Sequence, residues 1–209
     1  MDVSVENKTI EIRNIFFDLG IAFSSECHML DDLFDYSDKY IISSFPGIIE
    51  DSEKYGQVNI FYQKYLDGEI SKQQFESREK QFHDFVKTLW IYNDVYAALF
   101  ESCGNVIKYS RRAKIKKLIR SEKKLLSKVS IDSYSPNIDN VYRVSKYSSM
   151  NVLLHLATRE ISGLLLYFKQ VNILIYLFGC EGILVLKNGN SPDDSLQDIL
   201  RNNRLYIWK

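Results

Sequence analysis

The stretch Asn14-Ile15-Phe16-Phe17-Asp18-Leu19-Gly20 constrains this chain more than any other. Ile15 to Phe17 and Leu19 are apolar, a carboxylate follows the run, and a glycine closes it. A short apolar run bounded by glycine predicts a strand buried on both faces, as in parallel sheets. A carboxylate at the end of such a strand lies where open α/β sheets place their ligands. The first expectation is therefore a parallel sheet with Asp18 at its ligand-binding edge.

A chain of 209 residues suits one domain, or one core domain with a small insertion. The net charge of zero provides no overall field to steer nucleic acid or membranes. Cys27, Cys103 and Cys180 stand far apart without a CxxC, so neither a zinc motif nor a disulfide framework is expected. Reduced thiols and a cytoplasmic location are the simple reading. Residues Met1 to Arg13 are polar and acidic, unlike a signal peptide. Ile161 to Phe178 is the most apolar late stretch, but Lys169, Gln170 and Asn172 break it, so no membrane span is expected.

Along the chain, Thr9 to Ile12 reads as a short edge strand. From Glu26 to Trp90 the apolar residues recur at helical spacing, with Phe75, Phe82, Phe85, Leu89 and Trp90 forming one face. Ser71 and Gln74 form a capping-box pair. Asn93 to Cys103 reads as helix, Asn105 to Tyr109 as strand, Ala113 to Ser127 as helix and Val129 to Ile131 as a short strand. Tyr134 to Asn140 reads as loop and Ser148 to Ala157 as helix. Gly163 to Phe168 reads as strand, Val171 to Phe178 as helix, Gly182 to Leu186 as strand, and Asp193 to Arg201 as helix behind Pro192. Alternating strands and helices predict βα units around a mostly parallel sheet. The fold expected is an α/β Rossmann-like core, residues 1–20 and 97–209, with a helical cap, residues 21–96, inserted after the first strand.

This order resembles the haloacid dehalogenase superfamily of hydrolases. Phe16-Phe17-Asp18-Leu19-Gly20 is similar to its first motif, and Tyr65-Leu66-Asp67-Gly68-Glu69-Ile70-Ser71 looks like a cap segment of its phosphatase-like members. Val106 to Ser110 sits where the second motif falls, and Val144-Ser145-Lys146-Tyr147 resembles the third. Phe178-Gly179-Cys180-Glu181-Gly182 resembles the late passage from helix through glycine to strand. The resemblance implies Asp18 as nucleophile, Ser110 as hydrogen-bond donor to the developing oxyanion and Lys146 as the cation that keeps Asp18 ionised.

The sequence also departs from the family. Gly20 stands where the phosphatases carry a second Asp, and Leu166-Tyr167-Phe168-Lys169-Gln170 supplies no acids for Mg²⁺, a cation that wants carboxylate oxygens. No cofactor or metal is therefore expected. The function expected is a binding or regulatory pseudoenzyme, with a metal-independent hydrolase using Asp18 as the alternative.

Two charge patterns complete the reading. Lys108 to Lys128 holds ten cations, among them Arg112, Lys116, Arg120, Lys123 and Lys124, against the single acid Glu122. It reads as a basic amphipathic helix, either a solvated outer helix or a docking face for an anionic partner or substrate. A homo-oligomer pairing it with the acidic residues around Asp31, Asp32 and Asp35 also fits. That DDxxD cluster is better explained as a solvated helix face than as a Mg²⁺ site. His28, His83 and His155 are scattered, and surface or core roles are expected for them.

Overall fold

The computed structural model describes residues 9–23, 29–47, 49–51, 53–55, 62–100, 130–131 and 140–209. In chain order these form β1 (Thr9–Glu11), α1 (Ile12–Leu19), α2 (Met29–Asp35), β2 (Tyr40–Ser43), α3 (Tyr62–Leu66), α4 (Lys72–Trp90), β3 (Val95–Phe100) and β4 (Ser130–Ile131). They continue with β5 (Asn140–Val144), α5 (Tyr147–Thr158), β6 (Gly163–Phe168), β7 (Ile173–Phe178), β8 (Glu181–Leu186), a 3₁₀ turn at Lys187–Gly189, α6 (Asp194–Asn202) and β9 (Tyr206–Trp208).

The strands join one sheet in the order β1-β5-β3-β6-β7-β8-β2-β9, and β4 pairs with β3 off that path. Every neighbour on the path is antiparallel. Among the described strands only the two-residue β4 runs parallel to its partner. The expected Rossmann-like parallel sheet is thus overturned, and connection lengths give the reason. Four residues, 169–172, join β6 to β7, and two, Gly179 and Cys180, join β7 to β8. A parallel neighbour needs a crossover of a dozen residues or more, whereas hairpins need only a few. Gly179 enters its turn at φ 65°, a conformation for which two-residue hairpins select glycine.

The inserted helical cap is corrected as well. β2 lies inside that stretch and pairs with both β8 and β9 in the main sheet. The long helix α4 packs its Phe75, Phe82, Phe85, Val86 and Leu89 into the core against the sheet. Its capping box forms as expected: Gln74 N–H donates to the Ser71 hydroxyl, and Ser71 N–H donates to the Gln74 side chain.

Most of the sheet is buried from both sides, so its central strands are apolar throughout. Val95, Ala97 and Leu99 of β3 face one core, together with Leu164, Leu166, Ile175 and Leu184, under α4, α5 and α6. Tyr96, Ala98 and Phe100 face the other, together with Leu165, Leu174 and Val185, under α1 and α2. The period of two survives only as a choice between cores, not as apolar against polar. This is why Asn93–Cys103 and Val171–Phe178, expected as helices, contain the strands β3 and β7.

The opening stretch departs in the opposite sense, because it is a helix. Ile12, Ile15, Phe16 and Leu19 are all at most 1% exposed, while Phe17 is 82% exposed. Spacings of three and four put the buried four on one helix face. Gly20, at φ 79°, ends α1 in a Schellman motif: its N–H donates to Phe17 O at 3.1 Å, and Ile21 N–H donates to Phe16 O at 2.9 Å. The edge strand at residues 9–11, the short strand at Ser130–Ile131, helix α5, strands β6 and β8, and helix α6 follow the sequence reading. Asp193 caps α6 by accepting from Leu196 N–H at 2.8 Å.

Candidate functional site

Of the three residues expected to do chemistry, Asp18 and Lys146 fall among the described residues, on helices that cover opposite faces of the sheet. Asp18 lies near the end of helix α1 rather than at a strand end, with its side chain exposed. It is close enough to Tyr167 to add to the upward push that burial gives that phenol. Lys146 is the exposed N-terminal boundary residue of α5. Helix α1 packs into the core on one face of the sheet and α5 into the core on the other. Ser110 and the basic residues Arg112, Lys116, Arg120, Lys123 and Lys124 lie outside the described residues. The acidic residues Asp31, Asp32 and Asp35 fall on α2, and Asp31 and Asp35 are exposed.

Two other places carry chemistry. The first is the end of the sheet where α4 runs out. There a cavity of about 390 Å³ opens between α4, the β6–β7 turn and α6, lined among others by Leu89, Tyr92, Val171, Leu186, Lys187 and Ile199. Two of its lining residues, Tyr92 and Val171, are large apolar side chains left exposed, and Ile91 and Tyr147 are exposed on the neighbouring elements. Ile91 is 71% exposed, Tyr92 83%, Tyr147 57% and Val171 48%, four of the seven large apolar side chains exposed among the described residues. Tyr147 stacks on Trp90 with ring centroids 6.4 Å apart, and the Lys87 ammonium lies 4.8 Å over its ring. At the same sheet end a polar clamp joins the start of β3 to β5 and to the β6–β7 turn. The Asp94 carboxylate accepts from Arg143 Nε at 3.1 Å, Arg143 Nη2 at 2.6 Å and Gln170 Nε2 at 3.1 Å. These bonds, the Arg143 pair foremost, hold the Asp94 carboxyl below its ordinary range.

The second place is a knot of ionisable groups between α4 and α5. Glu79 and His83, four apart on α4, share a helix face, and α5 brings His155 against them. One donor atom from each of the three lies within 4.8 Å of the others. The His83 and His155 rings are tilted, with centroids 4.8 Å apart. Glu79 is 5% exposed and His83 6%. The Thr158 hydroxyl donates to Glu79 Oε1 at 2.8 Å, sharing its proton with the Leu154 carbonyl at 2.9 Å. Arg159 Nε donates to the same Oε1 at 3.0 Å, and Arg159 Nη2 reaches Oε2 at 3.4 Å. Burial pushes the Glu79 carboxyl up, but Arg159, His155 and Thr158 outweigh it and hold it low. Burial, helped by His155, drives His83 down to about 3, so its imidazole is neutral at ordinary pH. Its Nε2 is buried and has no hydrogen-bond partner among the described residues.

This knot is not among the sites expected from the sequence, where His83 and His155 count as scattered. The signal was present in α4 itself: Glu79 and His83 interrupt the face that carries Phe75, Phe82 and Val86. A charged group there needs a partner from elsewhere in the fold. His155 and Arg159 could not be assigned as those partners without knowing that α4 packs on α5.

Cys180 is a buried free thiol, pushed up by its burial and so unreactive. No helix among the described residues is long and apolar enough to cross a membrane. Comparison with protein-family models, with curated proteins and with solved structures gives no match.

Proposed function

We propose that this chain is a binding module, and that it docks an acidic protein segment bearing a large apolar anchor at the sheet end beside α4. The observation that carries this reading is that Tyr92 and Val171, both large, apolar and exposed, line a cavity of a size for one bulky side chain, with Ile91 exposed next to Tyr92 in the chain. Exposed apolar groups gathered beside a pocket mark recognition surfaces, and an aromatic rim gives contact area at low entropic cost.

The sign of the partner's charge follows from the cations at that end. Lys187 lines the cavity, the exposed Lys169 lies in the β6–β7 turn with the lining residue Val171, the exposed Lys146 precedes Tyr147, and Lys87 covers Tyr147. Of the neighbouring acids, Asp94 is engaged by Arg143 and Asp193 in capping α6, while Asp194 is exposed in the first turn of that helix. The basic run 108–128 adds charge of the same sign in the sequence. Hydrolysis through Asp18 is the weaker reading, because it needs Lys146 beside Asp18 and their helices cover opposite faces of the sheet.

Selection of random displayed peptides against the full chain tests this. The expected winners carry acidic residues around one Leu, Phe or Trp. Tyr92→Asp and Val171→Asp should each weaken their binding about tenfold or more, a loss of about 1.4 kcal/mol or more, while leaving the unfolding midpoint in place. Peptides of another composition, binding indifferent to both substitutions, or a surface already covered by self-association in sedimentation would each overturn it.

A further inference from the structure

We propose that Glu79, His83 and His155 bind a first-row divalent metal ion, zinc by the chemistry of its donors, between α4 and α5. This is a site independent of the docking surface. Three observations converge on it. Among the described residues His83 Nε2, which is buried, has no hydrogen-bond partner, which is costly for a polar atom and calls for an explanation. The Glu79 carboxylate is held asymmetrically: Oε1 takes Thr158 and Arg159 Nε at 2.8 and 3.0 Å, whereas Oε2 has only Arg159 Nη2 at 3.4 Å and His155 Nε2 at 3.8 Å. One oxygen is thus fixed by outer partners while the other is the one nearer His155, the arrangement by which outer groups orient a ligating carboxylate. Finally, donor atoms of all three residues already lie within 4.8 Å of one another.

The donors select the ion. Two imidazoles and a carboxylate suit zinc with a fourth position left for water, whereas magnesium and calcium prefer oxygen alone. Zinc bonds of about 2.0–2.2 Å set ligand atoms roughly 3.3–3.5 Å apart, so the cluster must close by about 1.5 Å. His155, with a side chain 36% exposed, has room to make that move. Arg159 can stay on Oε1, where its 34% exposed side chain also lies over the Tyr62 ring. Its charge lowers the affinity below that of the same donors without a neighbouring cation.

The test titrates the EDTA-stripped full chain with Zn²⁺ by calorimetry and with Co²⁺ by visible absorption. One equivalent should bind, with the intense visible bands of four-coordinate Co²⁺, and Zn²⁺ should raise the unfolding midpoint. His83→Gln and His155→Gln should each weaken binding about tenfold or more. In the unaltered chain, Zn²⁺ should also protect His155 from diethyl pyrocarbonate, read by peptide mass, so the outcome does not depend on either variant folding. Absence of saturable binding, binding unchanged in both variants, or equal His155 modification with and without Zn²⁺ would overturn the proposal.

Discussion

The two faces of the sheet are covered by helices of different character. On one, α1 presents Ile12, Ile15, Phe16 and Leu19, and among the described residues no buried charged group enters the core. On the other, α4 and α5 pack an equally apolar core but embed Glu79, His83 and Thr158 within it. Among the described residues the first face is held chiefly by apolar burial, which is non-directional and tolerant of small shifts. The second adds a polar network that must be fully satisfied or be costly. Polar groups that burial alone would exclude therefore mark the second face as the one carrying a site.

The largest expected effect tests whether the two faces are equal in packing. Phe16→Ala on α1 and Phe82→Ala on α4 remove rings that are both 0% exposed. Each should destabilise the chain by about 3–5 kcal/mol in urea denaturation at neutral pH. A cost below about 1 kcal/mol for Phe16→Ala alone would reduce α1 to a loosely applied cover and break the comparison.

Next in size is Glu79→Leu, which leaves Arg159 without its carboxylate. Removing one member of a buried pair costs about 3–5 kcal/mol. The Arg159 side chain is 34% exposed and can turn to water, which reduces the expectation to about 2–3 kcal/mol. Adding Arg159→Leu should restore at least half of that loss, because the unpaired charge is then gone. Failure of the double substitution to recover would mean that Glu79 acts through Thr158 and His155 instead.

The same contrast explains what could be read from the sequence. Helix α4 was legible because its capping box and its Phe75–Phe82–Leu89 face point to the same element. Strands β6 and β8 were legible as short apolar runs set off by Gly163 and Gly182. The Ile15–Leu19 run satisfies the strand template equally well, and only Ile12, one turn earlier, with Phe17 left exposed, makes it a helix. Strands β3 and β7, buried on both sides, show no alternation of polarity, so a spacing such as Val95, Ala98 and Leu99 could pass for a helix face. Topology then followed from those assignments: with Val171–Phe178 taken as helix, there was room for crossovers that the real hairpins lack. Of the candidate site, the Glu79–His83 pair was visible on one helix, but its closure by His155 and Arg159 is tertiary and has no local signature.

A third expectation concerns pH and belongs to the polar face alone. In the metal-free folded chain His83 is neutral down to about 3, with Glu79 raising its pKa against His155, Lys87 and Arg159, which lower it. An unfolded imidazole takes up its proton near 6.5. Between these values the unfolded chain binds more protons, so this stability is whole above about pH 6.5 and is lost as pH falls toward 3. At pH 5 the loss should be about 2 kcal/mol, measured by denaturation in EDTA. His83→Gln should flatten that slope, whereas Phe16→Ala on the other face should leave it unchanged. An unflattened slope in His83→Gln would place the acid sensitivity elsewhere.

The smallest effect separates how the two covering helices begin. The Ser71 hydroxyl accepts from Gln74 N–H at the start of α4, and the Gln74 side chain returns the bond. Helix α1 has no such device: Glu11 stands at its N-cap with no side-chain bond to the backbone, only a 3.5 Å contact from Asn14 Nδ2 on the surface. Ser71→Ala should therefore cost about 1 kcal/mol, while Glu11→Ala should stay within about 0.5 kcal/mol of the unaltered chain. Two-state urea curves at pH 7 resolve that difference. Helix α1 follows β1 directly, so pairing of β1 with β5 already fixes where its first turn starts. Helix α4 follows the turn residues Asp67–Ile70 and must set its own start. A cost for Glu11→Ala as large as that for Ser71→Ala would show that strand pairing does not substitute for a cap, and that both helices depend on their own first turn.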